Sequence, residues 1–83
     1  MIKAVKVVAN DDYSILVTLE DGRAMRMDMA FIRSQSGPVV EPLKQLQEFR
    51  KVFIRNGIVT WTTGYDIDPY FLIENGSVTS KSA

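Results

Sequence analysis

Tyr13-Ser14-Ile15-Leu16-Val17-Thr18-Leu19, then Glu20-Asp21-Gly22, then Arg23-Ala24-Met25-Arg26-Met27-Asp28-Met29, is the stretch that decides the fold. Two runs of β-branched and long apolar residues flank a turn cluster, the pattern of an antiparallel hairpin. Side chains alternate across a strand, so a slip of one residue exchanges the buried and exposed faces. If Asp21-Gly22 closed a two-residue loop, Val17 would meet Arg26 and Ile15 would meet Asp28, with charges against a core face. If Glu20-Asp21-Gly22 is a three-residue loop with Gly22 left-handed, Val17 meets Met25, Ile15 meets Met27 and Tyr13 meets Met29. The pleat selects the three-residue loop.

Toward the N-terminus, Ile2 to Ala9 reads as a further strand and Asn10-Asp11-Asp12 as its turn. The same logic pairs Ala9 with Tyr13, Val7 with Ile15 and Val5 with Val17. One face of the meander then carries Val5, Val7, Ala9, Tyr13, Ile15, Val17, Leu19, Met25, Met27 and Met29. The other carries Lys6, Ser14, Thr18, Arg26 and Asp28, with Leu16 as the exception.

Toward the C-terminus, Met29 to Arg33 suits a helical turn and Ser34 to Pro38 has loop composition. Pro42 fits the first turn of a short helix in which Leu43, Leu46 and Phe49 recur at three-residue spacing and Lys44 can pair with Glu48. Asn56-Gly57 between Val52–Arg55 and Ile58–Thr62 signals a type I′ hairpin that pairs Ile54 with Val59 and Val52 with Trp61. Phe53, Ile58, Arg55 and Thr60 fall on its other face. Asp68 before Pro69 reads as the N-cap of a last helical turn. The expected fold is α+β: an N-terminal antiparallel three-stranded meander, short helices, a second β-hairpin and a C-terminal helical turn. Residues 1–73 form the single domain, and the polar stretch 74–83 is expected to fray.

Apolar residues make up 46% of the 83-residue chain and charged residues 24%, an ordinary globular balance. Ten basic and ten acidic residues cancel, so charge does not favour nucleic acid as a partner. The chain has neither histidine nor cysteine. The commonest general base and zinc ligand are therefore missing, as are thiolate sites and disulfides. Serines have no histidine to activate them, and no phosphate loop or nucleophile elbow occurs. No catalytic residue, metal or cofactor is expected. Lysines interrupt the N-terminal apolar run, unlike a signal peptide, and no apolar run is long enough to span a bilayer. The expected location is the cytoplasm.

The binding candidates are Trp61, Tyr65, Asp66, Asp68 and Tyr70. Asp66 and Asp68 could hold a hard cation, but no further carboxylates follow at a calcium-loop spacing, and a capping role for Asp68 competes. Asn10-Asp11-Asp12 is better read as turn chemistry than as a cation site. Trp61 and Tyr65 could line a pocket or anchor an interface, while the hairpin register places Trp61 in the core. Met25, Met27 and Met29 could form an adaptable surface, although the register requires them as core filler. Arg23, Arg26, Arg33, Arg50, Lys51 and Arg55 are scattered, as surface cations usually are.

The Tyr13–Leu19 strand, the Asp21-Gly22 turn, Pro42-Leu43, Phe49, Ile58-Val59-Thr60-Trp61 and Gly64-Tyr65-Asp66-Ile67-Asp68-Pro69 occur in an order and spacing that resemble the bacterial domain-of-unknown-function family 2442. The resemblance covers roughly Ile2 to Leu72, and Trp61-x-x-Gly64-x-Asp66-Ile67 is its most specific part. It implies a small α+β fold, short stand-alone bacterial proteins, and in some cases neighbouring genes of toxin–antitoxin type. It implies no catalytic residues. Some relatives carry a helix-turn-helix domain after this one; no such helices follow here, so direct DNA binding is not expected. The expected function is a non-catalytic protein-interaction or accessory module, through a protein partner or self-association, and not at a membrane. The alternative is a small-ligand domain with a pocket near Trp61 lined by Tyr65, Tyr70 and Phe71.

Overall fold

The computed structural model describes residues 2–79. In chain order they form β1 (Ala4–Ala9), β2 (Ser14–Leu19), β3 (Ala24–Asp28), 3-10 helices at Ala30–Ser34 and Glu41–Lys44, and α1 (Leu46–Phe49). β4 (Phe53–Arg55), β5 (Ile58–Thr60), β6 (Asp66–Ile67), α2 (Pro69–Asn75) and β7 (Ser77–Val78) follow. One antiparallel sheet has the order β1-β2-β3-β7 and a second the order β4-β5-β6. This is the expected α+β architecture, with the meander and the second hairpin in place.

The deciding hairpin has the expected register: Ile15 lies opposite Met27 and Val17 opposite Met25. Leu19 N–H donates to Arg23 O at 2.8 Å, which closes a loop of Glu20, Asp21 and Gly22, and Gly22 has φ +94. Glycine takes that left-handed angle without steric cost. Asp21 accepts from the Arg23 amide, which together with the Arg23 guanidinium holds its carboxyl below the usual carboxylate range. Tyr13, Ile15, Val17, Leu19, Met25, Met27 and Met29 are all buried. The methionines are core, not surface.

The β1–β2 turn differs from expectation by two positions. Asn10 N–H donates to Ser14 O, so the loop is Asp11-Asp12-Tyr13, and Val7 meets Val17 while Ala9 meets Ile15. An even shift leaves the faces unchanged, which is why the core pattern survives. Tyr13 takes the left-handed position at φ +65, an uncommon angle for an aromatic residue. Its buried ring lies 4.6 Å from that of Phe49, and its hydroxyl donates to Lys44 O at 2.6 Å. Those contacts offset the backbone cost. Asp12 accepts from the hydroxyl and the amide of Ser14, which buries Ser14 on the outer side of the sheet.

Val5 was expected inside and is 56% exposed. A bulge between Ala4 and Lys6 inserts one residue, so Ala4 turns inward in its place. The outer face keeps Lys6 and Arg26 in water, with Val8 and Leu16 exposed between them.

The helix expected from Pro42 is split. Glu41–Lys44 is a 3-10 turn, Gln45 is extended at φ −95 and ψ 126, and α1 begins at Leu46. Leu43 and Phe49 still bury, but the break replaces the Lys44–Glu48 pair by Lys44–Glu41 and Lys51–Glu48. Asn56 and Gly57 form the two-residue turn with φ of +51 and +80, and Ile54 pairs with Val59. Thr60, placed on the outer face by the sequence, is buried and donates its hydroxyl to Ile58 O.

The expected boundary after residue 73 falls inside α2, which continues to Asn75. Ser77 and Val78 then pair with Arg26 and Met25, and Thr79 N–H donates to Ala24 O. The first part of the expected tail is thus the fourth strand of the meander sheet, while 80–83 lie outside the described residues. The two sheets meet where Ala4 N–H donates to Gly57 O at 2.9 Å. No helix of the described residues is long and apolar enough to cross a membrane.

Candidate functional site

Trp61 follows β5 directly and carries its side chain into the core, where it is 1% exposed. Its ring lies 5.7 Å from Phe49 and 5.6 Å from Tyr65, and its indole N–H donates to Phe49 O at 2.8 Å. With Tyr13 beyond Phe49, and the Arg33 guanidinium 4.4 Å from the Tyr13 ring centre, these residues make a column. It ties the β1–β2 turn, α1 and the second sheet together, with ring spacings in the favourable range. Trp61 therefore offers no surface to a ligand.

Tyr65 is half-buried at the end of the column. Burial pushes its phenol above the usual tyrosine range, and the negative charge of Asp66 adds to this. Asp66 is exposed on β6, opposite Thr60. Asp68 accepts from the Tyr70 amide at 2.7 Å and caps α2, with Pro69 at the first helical position. Capping accounts for Asp68, and no cluster of three potential metal-ligating side chains occurs among the described residues. Tyr70, one residue beyond Pro69, is 53% exposed. The five candidates thus do not converge on one site.

The Asn10-Asp11-Asp12 segment gathers cations from the chain itself. Arg26 pairs with Asp12 at 2.9 Å and Arg50 with Asp11 at 3.0 Å. Bonds from the Ser14 hydroxyl and amide, and secondarily Arg26, hold the Asp12 carboxyl below its usual range. These pairs are solvent-exposed, so each contributes little to stability.

A concavity of about 330 Å³ lies elsewhere, between the end of β3, the 3-10 helix Ala30–Ser34 and the C-terminal half of α2. Met27, Asp28, Phe31, Gln35, Phe71 and Asn75 line it. Phe71 and Asn75 are four apart on α2 and so share a helical face. Asp28 accepts from Ala30 N–H at 2.9 Å, which fixes the turn from β3 into the 3-10 helix. Sequence reasoning included Phe71 but joined it to Trp61. The spacing of Phe71 and Asn75 behind the Asp68 cap was a readable signal, whereas nothing local placed Phe31 and Gln35 beside them.

The groove depends on how closely α2 ends against β3. A Cβ added at Gly76 would lie 2.7 Å from Leu72 O and 2.9 Å from Arg26 O, both backbone atoms that cannot swing aside. Gly76→Ala is therefore expected to push α2 from β3 and cost about 1–3 kcal/mol, the usual range for overpacking. Urea denaturation measures this; a change under about 0.5 kcal/mol, the level of an ordinary surface substitution, would mean that the approach is looser than the structure has it.

The fold and surface define a small two-sheet α+β domain with an aromatic core column and a groove beside its C-terminal helix. The chain belongs to the family described as Protein of unknown function (DUF2442), whose model matches residues 4–77. The matched region includes β1 to β6 and all of α2, and ends at Ser77, the first residue of β7. No curated protein matches the chain, and no solved structure does.

Proposed function

We propose that this protein is a non-catalytic protein-interaction module, an accessory component of a toxin–antitoxin or regulatory locus, whose contact surface is the groove between β3, the 3-10 helix Ala30–Ser34 and α2. One observation carries the surface. On α2, Pro69 and Leu72 are buried while Phe71, which lines the concavity, is 44% exposed and its chain neighbour Tyr70 is 53% exposed. Exposed aromatics at a pocket are the usual anchors of protein contacts. Asp28 is the single titratable residue that lines the groove, which gives catalysis no acid–base pair there. The genomic setting rests on family resemblance.

A small ligand is the second reading, transferred from Trp61 to this groove, whose volume is near the lower end of typical ligand sites, about 300 Å³. Affinity capture from the native cell separates the two. The wild type and Val8→Ser, altered on the outer sheet face, are expected to retain one protein that Phe71→Ser loses with its melting temperature unchanged. Equal capture by all three sinks the groove as the contact surface. For self-association, light scattering on a size-exclusion column gives the answer, and a strict monomer at high concentration removes it.

A further inference from the structure

No residue that lines the groove carries a positive charge. Asp28 is its one charged lining residue, and no ion pair involves Asp28 among the described residues. One oxygen of that carboxylate accepts from Ala30 N–H, and the other is left to a further donor. Asn75 donates one N–H of its NH2 group to Phe71 O, and its carbonyl oxygen is available to accept from a ligand. The Gln35 side chain adds another carbonyl. The groove runs along α2 from Phe71 to Asn75, its last residue, and the last turn of that helix holds no basic residue to meet its negative end. Phe31 and Phe71 supply two aromatic rings, whose electron-rich faces attract cations.

A carboxylate, amide carbonyls, a helix C-terminus and aromatic walls suit a flat cation with an apolar stem. That is arginine: its guanidinium donates in a planar fork, stacks on rings and is weakly hydrated, whereas the lysine ammonium is compact and strongly hydrated. We propose that this groove takes the arginine side chain of a partner protein segment. Charge complementarity selects the occupant, since the lining carries one negative charge and no positive one. The proposal rests on the interaction-module reading and names the chemistry of its partner.

The test is a nuclear magnetic resonance titration of the full chain with the blocked tripeptide acetyl-Ala-Arg-Ala-amide, with its lysine and citrulline counterparts as controls. The arginine peptide is expected to shift the amides of Phe31, Gln35, Phe71 and Asn75. It should bind about tenfold more tightly than the citrulline peptide, the usual advantage of a charge-assisted hydrogen bond. Asp28→Asn should abolish that advantage while keeping the oxygen that accepts from Ala30. Phe71→Ala should weaken binding of the arginine peptide with the fold intact. Equal binding of citrulline, indifference to Asp28→Asn, tighter binding of lysine, shifts scattered over other acidic residues, or no binding each overturn the proposal. Failure here alongside Phe71-dependent capture of a protein leaves the interaction module standing with a different partner chemistry. Arginine binding without such capture removes the module and keeps the cation site.

Discussion

Trp61→Ala is expected to remove most of the stability of this domain. The ring is 1% exposed, stacked on Phe49 and tilted against Tyr65. Truncating a buried tryptophan to alanine costs about 3–5 kcal/mol through lost burial and the cavity left behind. The same change strands Phe49 O, the acceptor of the indole N–H, at up to about 1–3 kcal/mol if water cannot reach it. Typical stabilities per residue give an 83-residue domain about 4–12 kcal/mol in all. Circular dichroism during urea denaturation measures the loss, since the fluorescent residue itself is removed. Trp61→Phe retains an aromatic ring and loses the donor, so the gap between the two variants isolates packing from the hydrogen bond. An alanine variant within about 1 kcal/mol of wild type, well below the cost of a core cavity, would mean that the column does not hold the sheets together. Any loss of partner binding in Trp61→Ala is accordingly a folding effect, unlike the loss expected at Phe71.

What the sequence revealed was governed by local rules with one consistent solution. Between Tyr13 and Met29 a single register buries every apolar odd position, so loop length and pairing could be derived from the alternation alone. Asn56-Gly57 and Asp68-Pro69 were legible for the same reason, because turn and cap chemistry is carried by the residues themselves. The failures share a different cause. Tyr13 adopts a left-handed angle because its ring and hydroxyl find Phe49 and Lys44, thirty-one or more residues onward. No turn rule would choose an aromatic there. The Val5 bulge is set by the joint to Gly57 and the pairing with β2, neither visible in Ile2–Ala9 itself. Ser77 and Val78 look like tail by composition and become strand because β3 offers an open edge. The groove was illegible on the same ground. Asp66 and Asp68 stand close in sequence yet serve strand and cap, whereas the groove joins residues some forty positions apart.

Gly57→Ala is expected to cost about 2–5 kcal/mol, the sum of a left-handed backbone and an overpacked joint. The backbone part comes from φ +80, an angle that alanine adopts at about 1–2 kcal/mol. The packing part comes from Lys3, whose Cβ and Cγ would both lie 2.7 Å from the new methyl group. Those atoms are close to the main chain, and Lys3 is held by the hydrogen bond that its backbone N–H donates to the Glu20 carboxylate, so the collision is relieved only by moving β1 from the turn. That movement strains the bond from Ala4 N–H to Gly57 O, the link between the two sheets. A double-mutant cycle with Lys3→Gly separates the two parts. Removing the lysine side chain abolishes the collision but leaves φ unchanged, so Gly57→Ala should cost at least about 1 kcal/mol less in that background, the lower end of the overpacking cost. A cost that is the same with and without Lys3 would assign the whole effect to the turn. The meander and the second hairpin would then be joined by the aromatic column instead of by close approach at Gly57.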